Sequence, residues 1–348
     1  MNFRSVAQLS DQLIQWSKGL PQDFELVVGL PRSGLLAANL LALYRNLPVA
    51  DLDGVLAGRT IGAGTTRVDP FGEVEPRGAC DPARSPAAER FLDRPRKVLV
   101  LDDSTYSGDS LRLARKQVEA AELDHHVEYG AVYVTPETIG VADHHCEVLG
   151  HPRCFEWNVL HHHVLSRACV DLDSVLCVDL PQPTGADDAA YRSALRTARP
   201  RHAITAYIGQ LVTDRPERYR AETERWLDEQ RIAYGDLVMA RTGAGPRLRD
   251  LHASGAHKAS VYRDGSATFF VGGDIGLAVE IANLSRRAVL STDTMQMIQP
   301  GALPVARPGL ALVDDTAPSR PKRLARSIVP RPARVGLDRV RRRLARAS

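Results

Sequence analysis

The sequence predicts an α/β protein: two parallel-sheet domains followed by a basic C-terminal tail. Three observations carry that expectation. Short apolar runs with strand character alternate with helical stretches, the alternation occurs in two separate series, and in each series one apolar run ends in two aspartates. Alternation of this kind argues for parallel strands whose crossover helices cover both faces of the sheet. At 348 residues, 44% of them hydrophobic and 25% charged, the chain is long enough to bury two cores and is not a disordered polypeptide.

In the first series, an apolar run from Phe24 to Val28 ends at Gly29, and a helical stretch follows from Leu35 to Leu47. Residues 57–95 are rich in Gly, Pro and Arg. They are too long for an ordinary connection and read as a functional loop or a small hood. Lys97 to Leu101 has a buried-strand pattern, and a helix from Ser110 to Glu122 and a strand from Val127 to Val134 complete the series. Residues 136–167 read as a bridge. The second series starts with the run Ala168 to Asp171. It continues through a helix from Asp187 to Arg199, a strand from Tyr207 to Val212, a helix from Pro216 to Gln230 and the run Leu237 to Ala240. A helix near His257, a strand from Thr268 to Val271, a helix from Ile275 to Leu284 and a last strand at Ala288 to Leu290 end it. The domains are therefore expected at 1–150 and 151–300. A Pro- and Arg-rich tail at 301–348 would end in a basic helix from Leu337 to Ala347.

Neither membrane insertion nor export is expected. The longest apolar stretch, Leu35 to Tyr44, is broken by Asn39 and is far shorter than the roughly 20 residues that cross a bilayer. The first residues lack the charged-then-apolar pattern of an export signal, so a cytoplasmic protein is expected. The five cysteines, Cys80, Cys146, Cys154, Cys169 and Cys177, never stand in a Cys-x-x-Cys spacing and read as reduced thiols. Eight of the eleven histidines fall between His125 and His163, in spacings that match no standard zinc module. They read as a polar bridge.

The net charge of +3 hides an asymmetry. From Ser319 to Ser348 there are eleven Lys or Arg and one acid, Asp338, so the body before them is net acidic. Arg341 to Arg343, with Val335, Leu337, Val340 and Leu344, form an amphipathic pattern suited to an anionic membrane surface. Peripheral attachment at the inner face of the membrane is the expectation, and a solvated end is the alternative. Nothing in the body adds the basic and aromatic support that nucleic acid needs.

The run Val98 to Leu101 delivers Asp102 and Asp103 to a strand end, and a hydroxyl- and Gly-containing loop then opens a helix. The backbone N–H groups of such a loop, at a positive helix N-terminus, make a phosphate cradle to which Ser107 and Ser110 add hydroxyl donors. This stretch resembles the motif by which type I phosphoribosyltransferases bind 5-phosphoribosyl 1-pyrophosphate (PRPP). The resemblance implies that Asp102 and Asp103 contact the ribose hydroxyls and that Tyr106, Ser107, Gly108, Asp109 and Ser110 hold the 5-phosphate. Gly29 to Gly34 resembles the family's pyrophosphate loop, with Arg32, Ser33 and Gly34 in contact with the leaving group and Mg²⁺ as cofactor. Arg59 and Arg67 are further candidates. Asp109 departs from the pattern, because the family often has Gly there and an acid faces a phosphate badly unless it turns outward.

In the second series, Asp171 and Asp173 stand two residues apart at a strand end, a spacing that aims both carboxylates to one side. The pattern resembles the Asp-x-Asp motif of haloacid-dehalogenase-like (HAD) hydrolases. That resemblance implies that Asp171 is a nucleophile that forms an aspartyl-phosphate and that Asp173 is the general acid and base. Thr213 would bind the phosphoryl oxygen, Lys258 would stabilise charge, and Asp171, Asp173 and Asp274 would hold Mg²⁺. Many relatives carry a second acid at the last motif, where this chain has Gly272 and Gly273.

Together the two Rossmann-like halves, a type I phosphoribosyltransferase fold and a HAD-like hydrolase fold, resemble the bacterial PRPP-dependent ribofuranosyltransferase systems of polysaccharide biosynthesis. The resemblance implies a bifunctional enzyme that transfers 5-phosphoribose from PRPP to a glycan acceptor, lipid-linked in keeping with the basic tail, and then removes the 5-phosphate. A nucleobase phosphoribosyltransferase fused to a nucleotidase, or a PRPP-sensing protein without turnover, are the other readings.

Overall fold

The fold is a mixed α/β arrangement with two mainly parallel sheets, both contained in one compact unit spanning Met1–Ala306. The computed structural model describes residues 1–61, 92–178, 188–240 and 251–301. The expected tail helix, most of the 57–95 segment, Arg67 and Cys80 lie outside the described residues. No helix among the described residues is long and apolar enough to cross a membrane.

The chain opens with β1 (Asn2–Arg4) and α1 (Val6–Gly19), neither of which the apolar pattern announced. Ser5 and Gln8 close a reciprocal capping box at the start of α1, and Leu9 and Leu13 bury the face that the helix turns inward. The first sheet then follows: β2 (Leu26–Gly29), α2 (Ser33–Arg45), β3 (Val49–Asp51), α3 (Leu52–Leu56), β4 (Lys97–Ser104), α4 (Asp109–Ala120), β5 (His126–Val134) and β6 (His144–Val148). Its order is β3-β2-β4-β5-β6, all parallel. Alternate side chains point to opposite faces, so Val27, Leu99 and Leu101 enter one core while Leu26, Val28, Val98 and Val100 enter the other. Burial on both faces explains why these strands read as unbroken apolar runs.

The bridge is more structured than expected. It supplies β6 to the first sheet and β7 (Arg153–Phe155), which pairs in parallel with β1 as a two-stranded ribbon. Phe3 and Cys154 pack into the core of the second sheet, whereas Phe155 packs into that of the first. The boundary expected at 150 is thus crossed by the N-terminal strand.

The second sheet comprises β8 (Ala168–Asp171), α5 (Asp188–Arg196), β9 (Ile208–Pro216), α6 (Arg220–Glu229), β10 (Tyr234–Ala240), α7 (Leu251–Asp264), β11 (Phe269–Gly272), α8 (Ile275–Ser285), β12 (Val289–Ser291) and β13 (Gln296–Ile298). Its order is β10-β9-β8-β11-β12-β13, parallel except for the antiparallel last pair. Val170, Leu211, Phe269, Val271 and Leu290 form one core, and Cys169, Val212, Phe270 and Val289 face the other.

Strand order fixes where ligands can sit. In the first sheet the chain leaves β2 toward β3 and leaves β4 toward β5, so the crevice opens between the carboxyl ends of β2 and β4. In the second, the same divergence falls between β8 and β11. Both pairs of aspartates singled out in the sequence lie at these two places.

Candidate functional site

At the first crevice, α2 starts three residues after β2 ends, and its first turn lies directly on the end of β4. A Cβ on Gly34 would come within 2.8 Å of the Leu101 carbonyl oxygen and 3.1 Å of the Asp102 carboxylate, so only glycine allows this approach. Arg32 is exposed at the start of α2, and the Pro31–Arg32 peptide is cis. The Ser33 hydroxyl donates to Asp103 Oδ1 at 2.7 Å. The two loops that the sequence paired are therefore in contact.

Asp102 and Asp103 are both buried. The backbone N–H of Asp103 donates to Asp102 Oδ1 at 2.9 Å. Asp103 Oδ2 accepts the indole N–H of Trp157 at 2.8 Å. Burial pushes the Asp102 carboxyl up to about 8, and the adjacent charge of Asp103 adds to the effect. A desolvated carboxylate pair of this kind suits hydroxyl donors and a hard cation.

The loop after β4 is anchored underneath and open above. Thr105 is buried, with its hydroxyl 2.6 Å from that of Thr138 and its N–H donated to the Tyr133 carbonyl at 2.9 Å. The buried Arg153 donates to the Thr105 carbonyl oxygen and, at 3.3 Å, to that of Leu149. Gly108 takes a left-handed conformation (φ 82°), and a Cβ there would lie 2.8 Å from Val141. Tyr106, Ser107, Asp109 and Ser110 are exposed. Asp109 accepts the Ser107 hydroxyl at 2.6 Å and pairs with Arg112 at 3.0 Å, two contacts that hold it below the usual carboxylate range. Its side chain is thus engaged along the outside of α4. Tyr106 packs edge-on against His151 and His163, with ring centroids 5.0 Å and 6.0 Å apart.

At the second crevice, Asp171 ends β8 with no exposed surface. A single π-helical turn, Leu172–Leu176, follows, a distortion common at functional sites. Ser174 Oγ donates to Asp171 Oδ2 at 2.7 Å, and Lys258 Nζ stands 2.8 Å from the same oxygen and 3.0 Å from Asp214 Oδ2. Burial raises Asp171 against the pull of Lys258. Burial also works against the Lys258 ammonium, yet the two carboxylates outweigh it and the group is held charged.

Asp173 accepts the Thr213 hydroxyl and pairs with the buried Arg215, Nε to Oδ1 at 2.6 Å. Thr213, expected on a phosphoryl oxygen, spends its hydroxyl on Asp173 here. Asp274 is exposed and caps α8, its Oδ1 accepting the Leu277 N–H at 2.8 Å. Among the described residues no three His, Cys, Asp or Glu side chains converge on one point, which applies to the histidine-rich bridge as well. Gly273 stands where the sequence reading noted a missing second acid. A Cβ at this position would fall 2.3 Å from the Ser174 carbonyl oxygen, so no acid fits there without displacing the π-turn.

Sequence reading missed Ser174, Asp214 and Arg215, and it took Arg153 and Trp157 only as part of an unusual segment, Pro152 to Asn158, expected to pack between the domains. Asp214 and Arg215 directly follow Thr213 and were within reach of a motif reading. Trp157 and Arg153 act across some fifty residues, with no local signal for their partners.

No protein-family model matches the chain, and no curated protein matches it. Solved structures align with part of it. A xanthine-guanine-hypoxanthine phosphoribosyltransferase of Helicobacter pylori is 15% identical over 45% of this chain and 92% of that one, with a TM-score of 0.30. A purine phosphoribosyltransferase of Pyrococcus horikoshii is 16% identical over 45% and 92%, at 0.30. A protein of Neisseria gonorrhoeae solved with bound ppGpp is 13% identical over 46% and 90%, at 0.30. Scores at this level carry no argument, and the functional reading rests on the two crevices themselves.

Proposed function

We propose that the chain is a PRPP-dependent phosphoribosyltransferase whose second sheet carries a phosphomonoesterase for the transferred sugar phosphate. The observation that supports this most is the buried Asp102–Asp103 pair, set between two loops that each open a helix at a topological switch point. In this reading the carboxylates orient the ribose hydroxyls, the N–H groups at the start of α4 hold the 5-phosphate, and Arg32 faces the pyrophosphate. The acceptor hydroxyl attacks C1 and gives up its proton to water, the C1–O bond to pyrophosphate breaks, and the electron pair leaves with pyrophosphate. The Asp102–Asp103 carboxylates are hard-oxygen donors suited to Mg²⁺, which supplies countercharge for the leaving group.

For the second site, Lys258 and Ser174 would hold the Asp171 carboxylate, which would attack the 5-phosphate while Asp173 protonates the departing ribose oxygen. Water that gives its proton back to Asp173 would then cleave the aspartyl-phosphate and release inorganic phosphate. Asp173 must first leave Arg215 and Thr213 to reach that ribose oxygen. Mg²⁺ normally takes one or two carboxylates and keeps waters, so Asp171 and Asp274 would have to turn from Lys258 and from the α8 cap to hold it. Fusing the sites makes sense where one product is the next substrate, since tethering raises its effective concentration. A phosphatase would undo nucleotide salvage, which favours a glycan acceptor. Attachment of the basic tail to an anionic membrane would suit a lipid-linked one.

Pyrophosphate release from PRPP, followed with candidate acceptors, tests the reading. Release with a glycan acceptor supports it. Release with a free base transfers the assignment to nucleobase phosphoribosylation, and PRPP binding without release under any acceptor leaves a sensor.

A further inference from the structure

Both halves of the first crevice are held from one short segment of the bridge, Arg153 to Trp157. Trp157 has a single side-chain donor, and it lies 2.8 Å from Asp103 Oδ2 while Ser33 Oγ holds Oδ1 at 2.7 Å. The two donors reach the carboxylate from α2 on one side and from the bridge on the other. The indole is itself fixed, stacked on Phe155 with centroids 4.8 Å apart and planes 15° apart, and Phe155 leans on Tyr133 of β5 at 5.1 Å. Four residues before Trp157, the buried Arg153 spends its guanidinium on the carbonyls of Thr105 and Leu149, the first of which begins the phosphate loop. The β1–β7 ribbon anchors the segment, with Phe3 and Cys154 buried in the second core.

We infer that Trp157 and Arg153 are positioning residues for the diphosphate-sugar site: Trp157 sets the plane of the Asp103 carboxylate, and Arg153 sets the height of the phosphate loop. The inference rests on the PRPP reading above. It explains why an indole N–H and a desolvated guanidinium are committed to this one edge of the sheet.

The test uses the full chain. Trp157→Phe keeps the stacking surface and removes the donor, and Arg153→Lys keeps the charge and removes the fork. Affinities for PRPP and for inorganic pyrophosphate, which lacks the ribose and the 5-phosphate, are measured by calorimetry with Mg²⁺ at one pH, beside thermal unfolding. Loss of one hydrogen bond to a charged group predicts about tenfold or more weaker PRPP binding for Trp157→Phe. Arg153→Lys should also bind PRPP more weakly, and both variants should keep the wild-type affinity for pyrophosphate. A merely structural role would lower the unfolding midpoint and weaken both ligands alike. Wild-type PRPP affinity in Trp157→Phe, or an equal loss for the two ligands, overturns the inference. If that variant does not fold, unchanged PRPP affinity in Arg153→Lys does so. Failure of the wild-type chain to bind PRPP instead overturns the functional reading on which both depend.

Discussion

At neutral pH the Asp102–Asp103 pair is expected to share one proton and to give it up when PRPP and Mg²⁺ bind. Burial, with the neighbouring charge, lifts Asp102 from 3.8 to about 8. At pH 7 the pair then carries that proton about nine-tenths of the time, and at pH 9 about one-tenth. Ribose hydroxyls and a divalent cation favour the ionised form and return it toward the ordinary carboxylate range. Binding should therefore release about 0.9 proton at pH 7 and about 0.1 at pH 9. Calorimetry in buffers of different ionisation enthalpy reads that number as a slope. The ligand-free protein gives an independent check. Because the folded value is raised, the contribution of Asp102 to stability is complete below about 4 and is lost as pH rises through about 8. The unfolding midpoint should fall over that window, and saturating PRPP should flatten the fall. A slope of zero at pH 7, with a midpoint independent of pH, refutes the reasoning.

Three further outcomes are expected. Lys258→Met strips the buried Asp171 of its ammonium and should destabilise the chain by about 3–5 kcal/mol in denaturant unfolding. Adding Asp171→Asn to it should recover much of that loss. Gly273→Ala places a methyl 2.3 Å from the Ser174 carbonyl oxygen, so phosphatase turnover should collapse and stability fall by about 1–3 kcal/mol. Wild-type stability in that variant, by thermal unfolding, would show that the π-turn yields easily. Deleting residues 319–348, with their eleven basic side chains, should abolish salt-sensitive binding to vesicles containing anionic lipid, measured by co-sedimentation. Equal binding by the truncated chain would remove the membrane role.

The strands were legible because their physics is local. Lys97–Leu101 and Ala168–Asp171 are buried on both faces, and nothing but an unbroken apolar run satisfies that. The acids at their ends were legible for the opposite reason, since charge at the end of such a run needs a purpose. By contrast, α1 was missed although Ser5 and Gln8 spell a capping box, because its apolar residues are spread among polar ones. The strand β7 is three residues long and exists only because β1 pairs with it across about 150 positions, a relation that no window can register. The same distance hid the partner of Trp157, whose indole donates to Asp103 from the bridge. The pairing of Asp173 with Arg215 was hidden for another reason: the motif reading gives Asp173 a role in turnover and says nothing of a cation two residues after Thr213.

The most direct test of two successive sites is mass spectrometry of the products formed from PRPP and an acceptor by the wild-type chain and by Asp171→Asn. Wild type should yield acceptor bearing plain ribose. The variant should pile up acceptor that still carries the 5-phosphate, with pyrophosphate release unchanged. Fully dephosphorylated product from Asp171→Asn would contradict the account at its centre.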